Sequence, residues 1–232
     1  MKSVVICRYA PQDGPGYFAT YLTQHSIDWC LVKLDEGEAL PDVNSVTGLA
    51  MMGGPMSVND AQPWLTGMLA FIRDCVALDV PVIGHCLGGQ LLSKALGGVV
   101  TRNAVKEIGW ARVEIENATL ARQWGPAEPF VSYHWHGETF SIPSPAIRIW
   151  SSAQCANQAF VIDKHIGMQC HIEVTDRMID EWCETGLDEI ELDLMRSPAV
   201  QTPAAMRENM TSKLEDLHRV ADRVYGRWIE GL

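Results

Sequence analysis

A cysteine between two glycines is the residue of this chain best suited to nucleophilic chemistry. Cys86 is flanked by Gly84 and Gly88 and follows the apolar run Val80–Ile83. A strand that turns sharply into a helix presents the corner side chain, and only small neighbours let the turn close. The helix expected over Leu87–Leu96 begins at the thiol, where its free N–H groups would stabilise a thiolate and an oxyanion. A buried structural cysteine is the alternative, but the agreement of strand, glycines and helix favours a nucleophile.

A histidine and a glutamate two residues apart supply the partner that such a thiol needs. His171 and Glu173 follow the expected strand Phe160–Asp163, and in an extended segment both side chains point the same way. The carboxylate can then orient the imidazole while the other ring nitrogen faces Cys86, which gives a Cys-His-Glu relay for acyl transfer. Taken alone, the pair would fit an exposed strand face better; beside the cysteine corner, the relay is favoured.

A glycine-rich turn is the third element with chemical potential. The apolar run Leu49–Met52 ends in Gly53, Gly54 and Pro55. Small residues let backbone N–H groups approach a substrate oxygen, so we expect the N–H of Gly54 to form an oxyanion hole with that of Leu87. Gly-Gly-Pro also marks ordinary turns and has little weight by itself.

The elements that must position these residues follow an alternating pattern. Strands are expected at Val4–Cys7, Trp29–Leu34 and Leu49–Met52, and helices at Tyr17–His25 and Leu65–Ala77. This alternation predicts a flavodoxin-like α/β fold, with a mostly parallel sheet, helices on both faces and a ligand crevice at the carboxyl ends of the strands.

The second half of the chain no longer alternates between strands and helices. Residues 98 to about 175 are β-rich, as in Arg112–Ile115 and Ile147–Trp150, and we interpret them as extra strands that carry the histidine to the crevice.

Beyond residue 175 the sequence predicts a helical extension that lies outside the catalytic pattern. Its apolar residues follow three- and four-residue spacing, at Met206, Met210, Leu214, Leu217, Val220, Val224 and Trp228. This stripe is expected to pack on the domain's own sheet, with a dimer contact or a cofactor stripe as alternatives, and Asp188–Asp193 to form a solvated turn. We expect one domain over residues 1–232, with a catalytic core of about 1–175 and the extension over about 176–232.

Composition excludes several classes of protein. The 18 Lys and Arg against 29 Asp and Glu give a net charge of −11, which disfavours nucleic acid and anionic membranes as partners. The apolar run at the start is too short for a signal peptide and no segment approaches the length of a membrane span, so the cytoplasm is the expected location. Seven cysteines without a Cys-x-x-Cys pair argue against a disulfide framework or structural zinc.

Together these motifs resemble the class I, triad-type glutamine amidotransferase family over about residues 1–175. The resemblance implies that Cys86 is the nucleophile, His171 the base and later acid, and Glu173 the orienting carboxylate. It also implies that Gln90 helps to hold the glutamine side chain of the substrate, and that no metal or organic cofactor is needed. The backbone grip on the substrate's amino and carboxyl ends is expected from the segment that contains Asn157, Ala159 and Phe160.

This chain departs from the family pattern at two positions. Cys170 replaces an aromatic residue before the histidine, and Ile172 replaces a proline between the histidine and the glutamate. These changes bear on the geometry of the pair more than on its chemistry.

The segment 133–140 is similar to that of free-standing, single-domain members of the family. Within it, His134 and His136 have the spacing of two metal ligands on one strand face, but the sequence shows no third or fourth ligand nearby. We expect this segment to border the cleft and shape what lies beyond the γ-carbonyl; a strand packed in the sheet is the competing interpretation.

Three functions remain open at this point. The first is a hydrolase that cleaves the γ-amide of glutamine or of a γ-glutamyl small molecule through a cysteinyl thioester. The second is a glutaminase subunit that delivers ammonia to a separate synthase. The third is a non-hydrolytic redox or ligand sensor built on Cys86, which the presence of His171, Glu173 and Gln90 disfavours.

Overall fold

One continuous sheet of nine strands organises the computed structural model, which describes residues 2–232. The strands are β1 (Ser3–Arg8), β2 (Trp29–Lys33), β3 (Val46–Met51), β4 (Val82–His85), β5 (Val100–Ile115), β6 (Phe130–Phe140), β7 (Ile147–Ser152), β8 (Ala159–Ile162) and β9 (His165–Met168). Their order across the sheet is β2-β1-β3-β4-β9-β8-β7-β5-β6. The first five of these run parallel and the rest join through antiparallel pairs. The expected α/β fold with additional strands is confirmed.

Helices cover both faces of this sheet. Within residues 2–232 they are α1 (Gly16–Gln24), α2 (Leu65–Ala77), α3 (Leu87–Ala95), α4 (Ala118–Trp124), α5 (Asp176–Thr185), α6 (Leu187–Leu194), α7 (Pro203–Arg207) and α8 (Met210–Ile229). Side chains of α2 and α3 belong to one apolar cluster, and side chains of α1, α5 and α8 belong to another. The sheet therefore separates two cores.

The side chains of β1 show why both faces must be covered. Val4 and Ile6 enter the core under α1 and α8, whereas Val5 and Cys7 enter the core under α2 and α3. Successive side chains of a strand point to opposite faces, so a strand that is apolar at every position needs a helical layer on each side.

The order of the strands brings the two halves of the predicted site together. β9 lies parallel to β4, with Ile83 opposite Ile166 and His85 opposite Met168. Residues that follow β4 therefore lie beside residues that follow β9. β9 was missing from the sequence-based expectation, which attached the histidine to the strand at residues 160–163; that strand is β8, the antiparallel neighbour of β9.

One expectation about the C-terminal part of the chain is corrected. Residues 188–193 are not a solvated turn, because they form most of α6, where Ile190 and Asp193 are buried. The apolar stripe is divided between two helices: Met206 belongs to α7, and α8 begins only after Asn209, whose φ of 53° interrupts the helical backbone. The stripe along α8 does pack on the protein itself, against α1, α4, α5 and β6.

None of the helices between residues 2 and 232 has both the length and the apolar character needed to cross a membrane.

Candidate active site

Cys86 stands at a strained corner between β4 and α3. Its backbone has φ 48° and ψ −105°, a conformation that non-glycine residues rarely adopt. The flanking glycines are required by close packing: a Cβ on Gly84 would collide with the backbone of Gly88, and one on Gly88 would collide with the carbonyl of Met51. The corner therefore holds the thiol at the carboxyl end of the sheet, at the first turn of α3. The expected elbow is present.

The segment after β9 carries His171 and Glu173 to the same place. The backbone N–H of His171 donates to the carbonyl of Tyr133 on β6 at 2.8 Å, which anchors the segment. His171 Nδ1 and Glu173 Oε1 are 2.6 Å apart. Cys170 and Ile172 alternate with them and are buried in the core, so replacing the family's aromatic residue and proline leaves an apolar anchor on the inner side.

Burial and charge act on this pair in opposite directions. Burial opposes a charged His171, but the Glu173 carboxylate and the sulfur of Cys86 outweigh it and hold the pKa of His171 well above its usual value. Burial also opposes a charged Glu173, yet the charge and hydrogen bond of His171 keep the pKa of this carboxyl below its usual value. The arrangement favours an imidazolium beside a carboxylate, the state that stabilises a thiolate.

Two glutamine side chains line the sulfur on the other side. The Gln169 amide donates to Cys86 Sγ at 3.5 Å, and the Gln90 amide donates to Gln169 Oε1 at 3.2 Å. Gln90 lies one turn along α3, as expected, and reaches the cleft. Gln169 was not singled out from the sequence, although it belongs to the same short segment as His171.

The backbone N–H groups expected to bind an oxyanion lie at the elbow. Leu87 is the first residue of α3, and Gly54 lies in the turn after β3, where an added Cβ would collide with the Leu87 side chain. Within residues 2–232, no protein acceptor pairs with the N–H of Gly54 or of Leu87. Both N–H groups are therefore unpaired within the protein, as an oxyanion hole requires.

A cleft of about 410 Å³ opens over these residues. Its volume lies within the range of roughly 300–1,000 Å³ that is usual for small-molecule sites. Besides Cys86, Gln90 and His171, its walls include Asp13, Lys106, Trp135, Glu138, Trp182 and Glu189. Trp135 and Glu138 belong to segment 133–140, which was expected to border the cleft. The other four were not predicted, since they come from distant segments that only the tertiary fold brings together.

Ion pairs connect β5 to α6 in one wall of the cleft. Lys106 on β5 pairs with Glu189 at 2.5 Å and with Asp193 at 2.7 Å, both on α6. The Trp135 indole donates to the other oxygen of Glu189 at 2.9 Å. The C-terminal helices, expected to lie outside the catalytic pattern, thus form part of the cleft.

The structure does not bring Asn157, Ala159 and Phe160 to this cleft. Ala159 and Phe160 are fully buried in β8, between β7 and β9, and the Asn157 amide donates to the carbonyl of Phe140. A strand enclosed by two neighbours uses its backbone groups for sheet pairing and has none left for a ligand. The expectation for this segment is withdrawn; the cleft wall comes instead from residues 135–138 of β6.

His134 and His136 have a third neighbour that the sequence did not reveal. The ligand-type atoms of Glu107, His134 and His136 lie within 4.8 Å of one another, and all three residues are buried. The Glu107 carboxylate is already the partner of His136 at 3.0 Å and accepts from Ser152 and Gln158 at 2.7 Å each. Because these partners occupy its oxygens, the cluster fits a hydrogen-bond network behind the cleft better than a cation site. Segment 133–140 is both a strand of the sheet and a cleft wall.

The fold and the site define an α/β protein with a cysteine elbow facing a histidine–glutamate pair. The family model for class-I glutamine amidotransferases matches residues 18–183. The chain therefore belongs to the class-I glutamine amidotransferase family.

Individual relatives agree with this assignment. The chain is similar to a solved glutamine amidotransferase from Methylobacillus flagellatus, with 43% identity, a TM-score of 0.97, and coverage of 100% of this chain and 96% of that one. It is also similar to one from Thermotoga maritima, with 27% identity, a TM-score of 0.88, and coverage of 99% and 98%.

Among curated proteins, the chain is 28% identical to the glutamine amidotransferase-like protein YfeJ of Salmonella typhimurium, over 86% of this chain and 87% of that protein. A glutamine-hydrolyzing GMP synthase of Natranaerobius thermophilus is 31% identical, over 56% of this chain and 25% of the synthase. The match thus spans about a quarter of the length of that synthase.

Proposed function

We propose that this protein cleaves the γ-amide of glutamine or of a γ-glutamyl compound through a thioester on Cys86, without a metal or organic cofactor. The observation that carries the proposal is the 2.6 Å His171–Glu173 pair facing the strained Cys86 corner in one cleft. A thiol, a charged imidazole and an orienting carboxylate are the parts that acyl transfer by cysteine requires.

The reaction follows from these positions. The Cys86 thiolate attacks the γ-carbonyl carbon, and the resulting oxyanion accepts hydrogen bonds from the N–H groups of Gly54 and Leu87. The C–N bond breaks as the His171 imidazolium gives its proton to the leaving nitrogen. His171 then takes a proton from water, which attacks the thioester, releases the γ-carboxylate and restores the thiol. Glu173 orients the imidazole throughout.

The size of the cleft favours a substrate with a group on the γ-nitrogen. Trp135 and Trp182 line the cleft together with Cys86 and pack edge to face against each other, with ring centroids 6.0 Å apart. Aromatic walls bury apolar parts of a ligand, while the backbone and carboxylates of the same walls bind polar parts. We therefore favour hydrolysis of γ-glutamyl compounds without a partner slightly over the supply of ammonia to a synthase. The proposed hydrolase is a single domain in the cytoplasm.

The second candidate is a glutaminase subunit that feeds ammonia to a separate synthase. It draws support from the relatives named GMP synthase, whose similarity to this chain is confined to about a quarter to a third of their length. A sensor without hydrolytic activity is the least supported candidate, because a reactive thiol alone needs neither Gln90 nor the free N–H groups at the elbow.

A substrate panel separates these candidates. The purified protein is tested with glutamine, γ-glutamyl dipeptides and glutathione conjugates, alongside Cys86→Ser and the control Cys30→Ser, which changes an exposed thiol on β2. We expect hydrolysis of at least one compound, a loss of about a thousandfold or more in Cys86→Ser, and no change in Cys30→Ser. Inactivity on the whole panel, followed by strong glutaminase activity when a synthase protein is added, would contradict the preference for an independent hydrolase.

A further inference from the structure

The carboxylate of Glu173 has a second oxygen that the His171 contact does not use. Oε1 faces His171, while Oε2 is buried and has no hydrogen-bond partner among residues 2–232. A charged oxygen buried without a donor is strongly destabilising. His85 Nε2 lies 4.0 Å from Oε2, on the side of the carboxylate away from the cleft.

A side chain from α8 holds His85 in this position. The Tyr225 hydroxyl lies 3.1 Å from His85 Nε2, and the two rings meet edge to face with centroids 5.9 Å apart. Both residues are fully buried. Phe18 packs on Tyr225 at 4.8 Å between centroids, so the phenol ring is fixed by the core.

The location of Tyr225 in the chain makes this contact informative. The family model ends at residue 183, whereas Tyr225 lies 42 residues further on, in α8. The helix thus adds a polar group behind the triad from outside the matched segment. An apolar residue would have filled the same space, so packing alone does not account for the hydroxyl.

The protonation states of the two side chains restrict what they can donate. Burial lowers the pKa of His85, which keeps the ring neutral with one N–H. Burial raises the pKa of Tyr225 well above its usual value, so its hydroxyl keeps its hydrogen. Nδ1 of His85 lies near the Met51 carbonyl, and Nε2 lies near the Tyr225 hydroxyl and Glu173 Oε2. Only the Nε2–H form can point a hydrogen at the unpaired oxygen of Glu173, and this is the tautomer that the charge of Glu173 favours.

We propose that His85 is a positioning residue that directs its Nε2–H at Glu173 Oε2, and that Tyr225 on α8 holds it in that orientation. This inference rests on the proposed function, because it assigns the pair a role in setting the charge state of the Cys86–His171–Glu173 relay. At 4.0 Å the two atoms are beyond hydrogen-bonding distance, so the Nε2–H acts on the charge of Oε2 as a dipole.

The sign of the effect follows from electrostatics. A donor dipole aimed at Glu173 stabilises the deprotonated form of every group close to it, so its removal raises their pKa values. The titratable groups around this network are Asp13, Tyr17, Cys86, Cys170, His171 and Asp222. Since all of them remain in the variants described next, a shift between variants reports the lost donor.

The test measures the rate at which iodoacetamide alkylates Cys86 as a function of pH, with each site resolved by mass spectrometry. Loss of the donor in His85→Leu, or of its anchor in Tyr225→Phe, is expected to move the midpoint of the Cys86 profile to higher pH by roughly half a unit to one unit. His85→Gln, which keeps an N–H of similar reach, is expected to stay near wild type. Exposed Cys30 provides an internal reference whose profile should not move.

A matched control separates this role from packing. Tyr21→Phe removes a hydroxyl from the same aromatic cluster, 5.5 Å between ring centroids from Tyr225, and should leave the Cys86 profile unchanged. With a compound that the wild-type protein hydrolyses, Tyr225→Phe should lower kcat several-fold with little change in KM.

The two proposals fail separately. Unchanged Cys86 profiles in Tyr225→Phe and His85→Leu would overturn the positioning role even if the wild type hydrolyses its substrate. A shifted profile in a protein inactive on every γ-glutamyl compound would uphold the positioning role and overturn the hydrolase. If His85→Leu does not fold, Tyr225→Phe decides.

Discussion

Cys86 and His171 reach one cleft from two strands that lie side by side in the sheet but far apart in the chain. The backbone at Cys86 is strained, and burying His171 and Glu173 as a charged pair after β9 has a desolvation cost. Both features lower the stability of the fold, and such features are common at functional sites. Their coincidence at one end of the sheet supports a cysteine-based acyl transfer.

The two members of the pair should differ in what their loss does. His171→Ala removes the group that moves protons, and kcat should fall by roughly 10³-fold or more. Glu173→Gln keeps a hydrogen-bonding side chain of the same shape, and kcat should fall less, by roughly 10- to 100-fold. Steady-state kinetics with circular dichroism as a folding control measures both. Near-normal turnover in His171→Ala would place the base elsewhere, with His134 and His136 the next candidates.

The residues proposed for catalysis could be picked out from the sequence because each belongs to a short local pattern. Cys86 is marked by its glycines, and His171 with Glu173 by their two-residue spacing. The sequence located one wall of the cleft, because segment 133–140 was expected to border it and Trp135 does line it. It did not locate Lys106, which reaches the cleft through the pairing of β5 and β6 that no local pattern records, and the Asn157 segment lies away from the cleft.

The junction of β4 and α3 is the element on which the site depends. α3 packs against β3, β4 and β9 at once, and this is why its first turn consists of Leu87 followed by two glycines. Close approach of the helix to the sheet sets the height of the thiol above the strand ends. The glycines therefore serve the geometry of the nucleophile as well as packing.

A pair of alanine substitutions tests this requirement. Gly88→Ala places a Cβ against the Met51 backbone, which cannot move aside, and should lower stability by about 3 kcal/mol or more, a fall in Tm of roughly 6–12 °C. Gly67→Ala, in the exposed first turn of α2 with open space around it, should raise stability by up to about 1 kcal/mol. Thermal unfolding followed by circular dichroism compares them. Equal Tm values for the two variants would show that the corner tolerates a side chain.

Most elements were predictable where one periodicity dominates. The helix over 65–77 and the strand that begins at Trp29 follow their expected bounds to within a residue. β9 was missed because its four residues include Gly167 and resemble a turn. α6 was missed because its acidic residues suggested a solvated segment; Lys106, 83 residues away from Glu189, supplies the counter-charge that lets it pack.

The helices beyond the segment that matches the family model contribute side chains to the cleft and to its surroundings. Beyond residue 183, α6 contributes Glu189 to the cleft, and α8 contributes Tyr225, whose hydroxyl contacts His85. The sequence indicated that this region is helical and amphipathic. It did not indicate where the helices dock, because that depends on which apolar surface of the sheet remains uncovered by α1.

The seven cysteines allow the central claim, that Cys86 is the nucleophile, to be tested against the rest of the chain. Burial raises the pKa of Cys75 and of Cys170 to about 12, and Cys7 is more strongly affected, so these thiols stay protonated at neutral pH. Cys30 is exposed, yet it lies on β2 away from the cleft. Burial also raises the pKa values of Cys155 and Cys183. Of the seven, all within the described residues, only Cys86 lines the cleft beside the imidazolium of His171.

The most direct measurement is covalent labelling with a glutamine-like chloroketone, followed by digestion and mass spectrometry of every cysteine-containing peptide. Such a reagent binds as a substrate before it reacts, so it reports both the nucleophile and the specificity of the cleft. We expect one label per chain, located on Cys86. An excess of an intact γ-glutamyl compound that the protein hydrolyses should protect Cys86 from labelling. Labelling of Cys75 or Cys170 with Cys86 unmodified would contradict the assignment of the nucleophile.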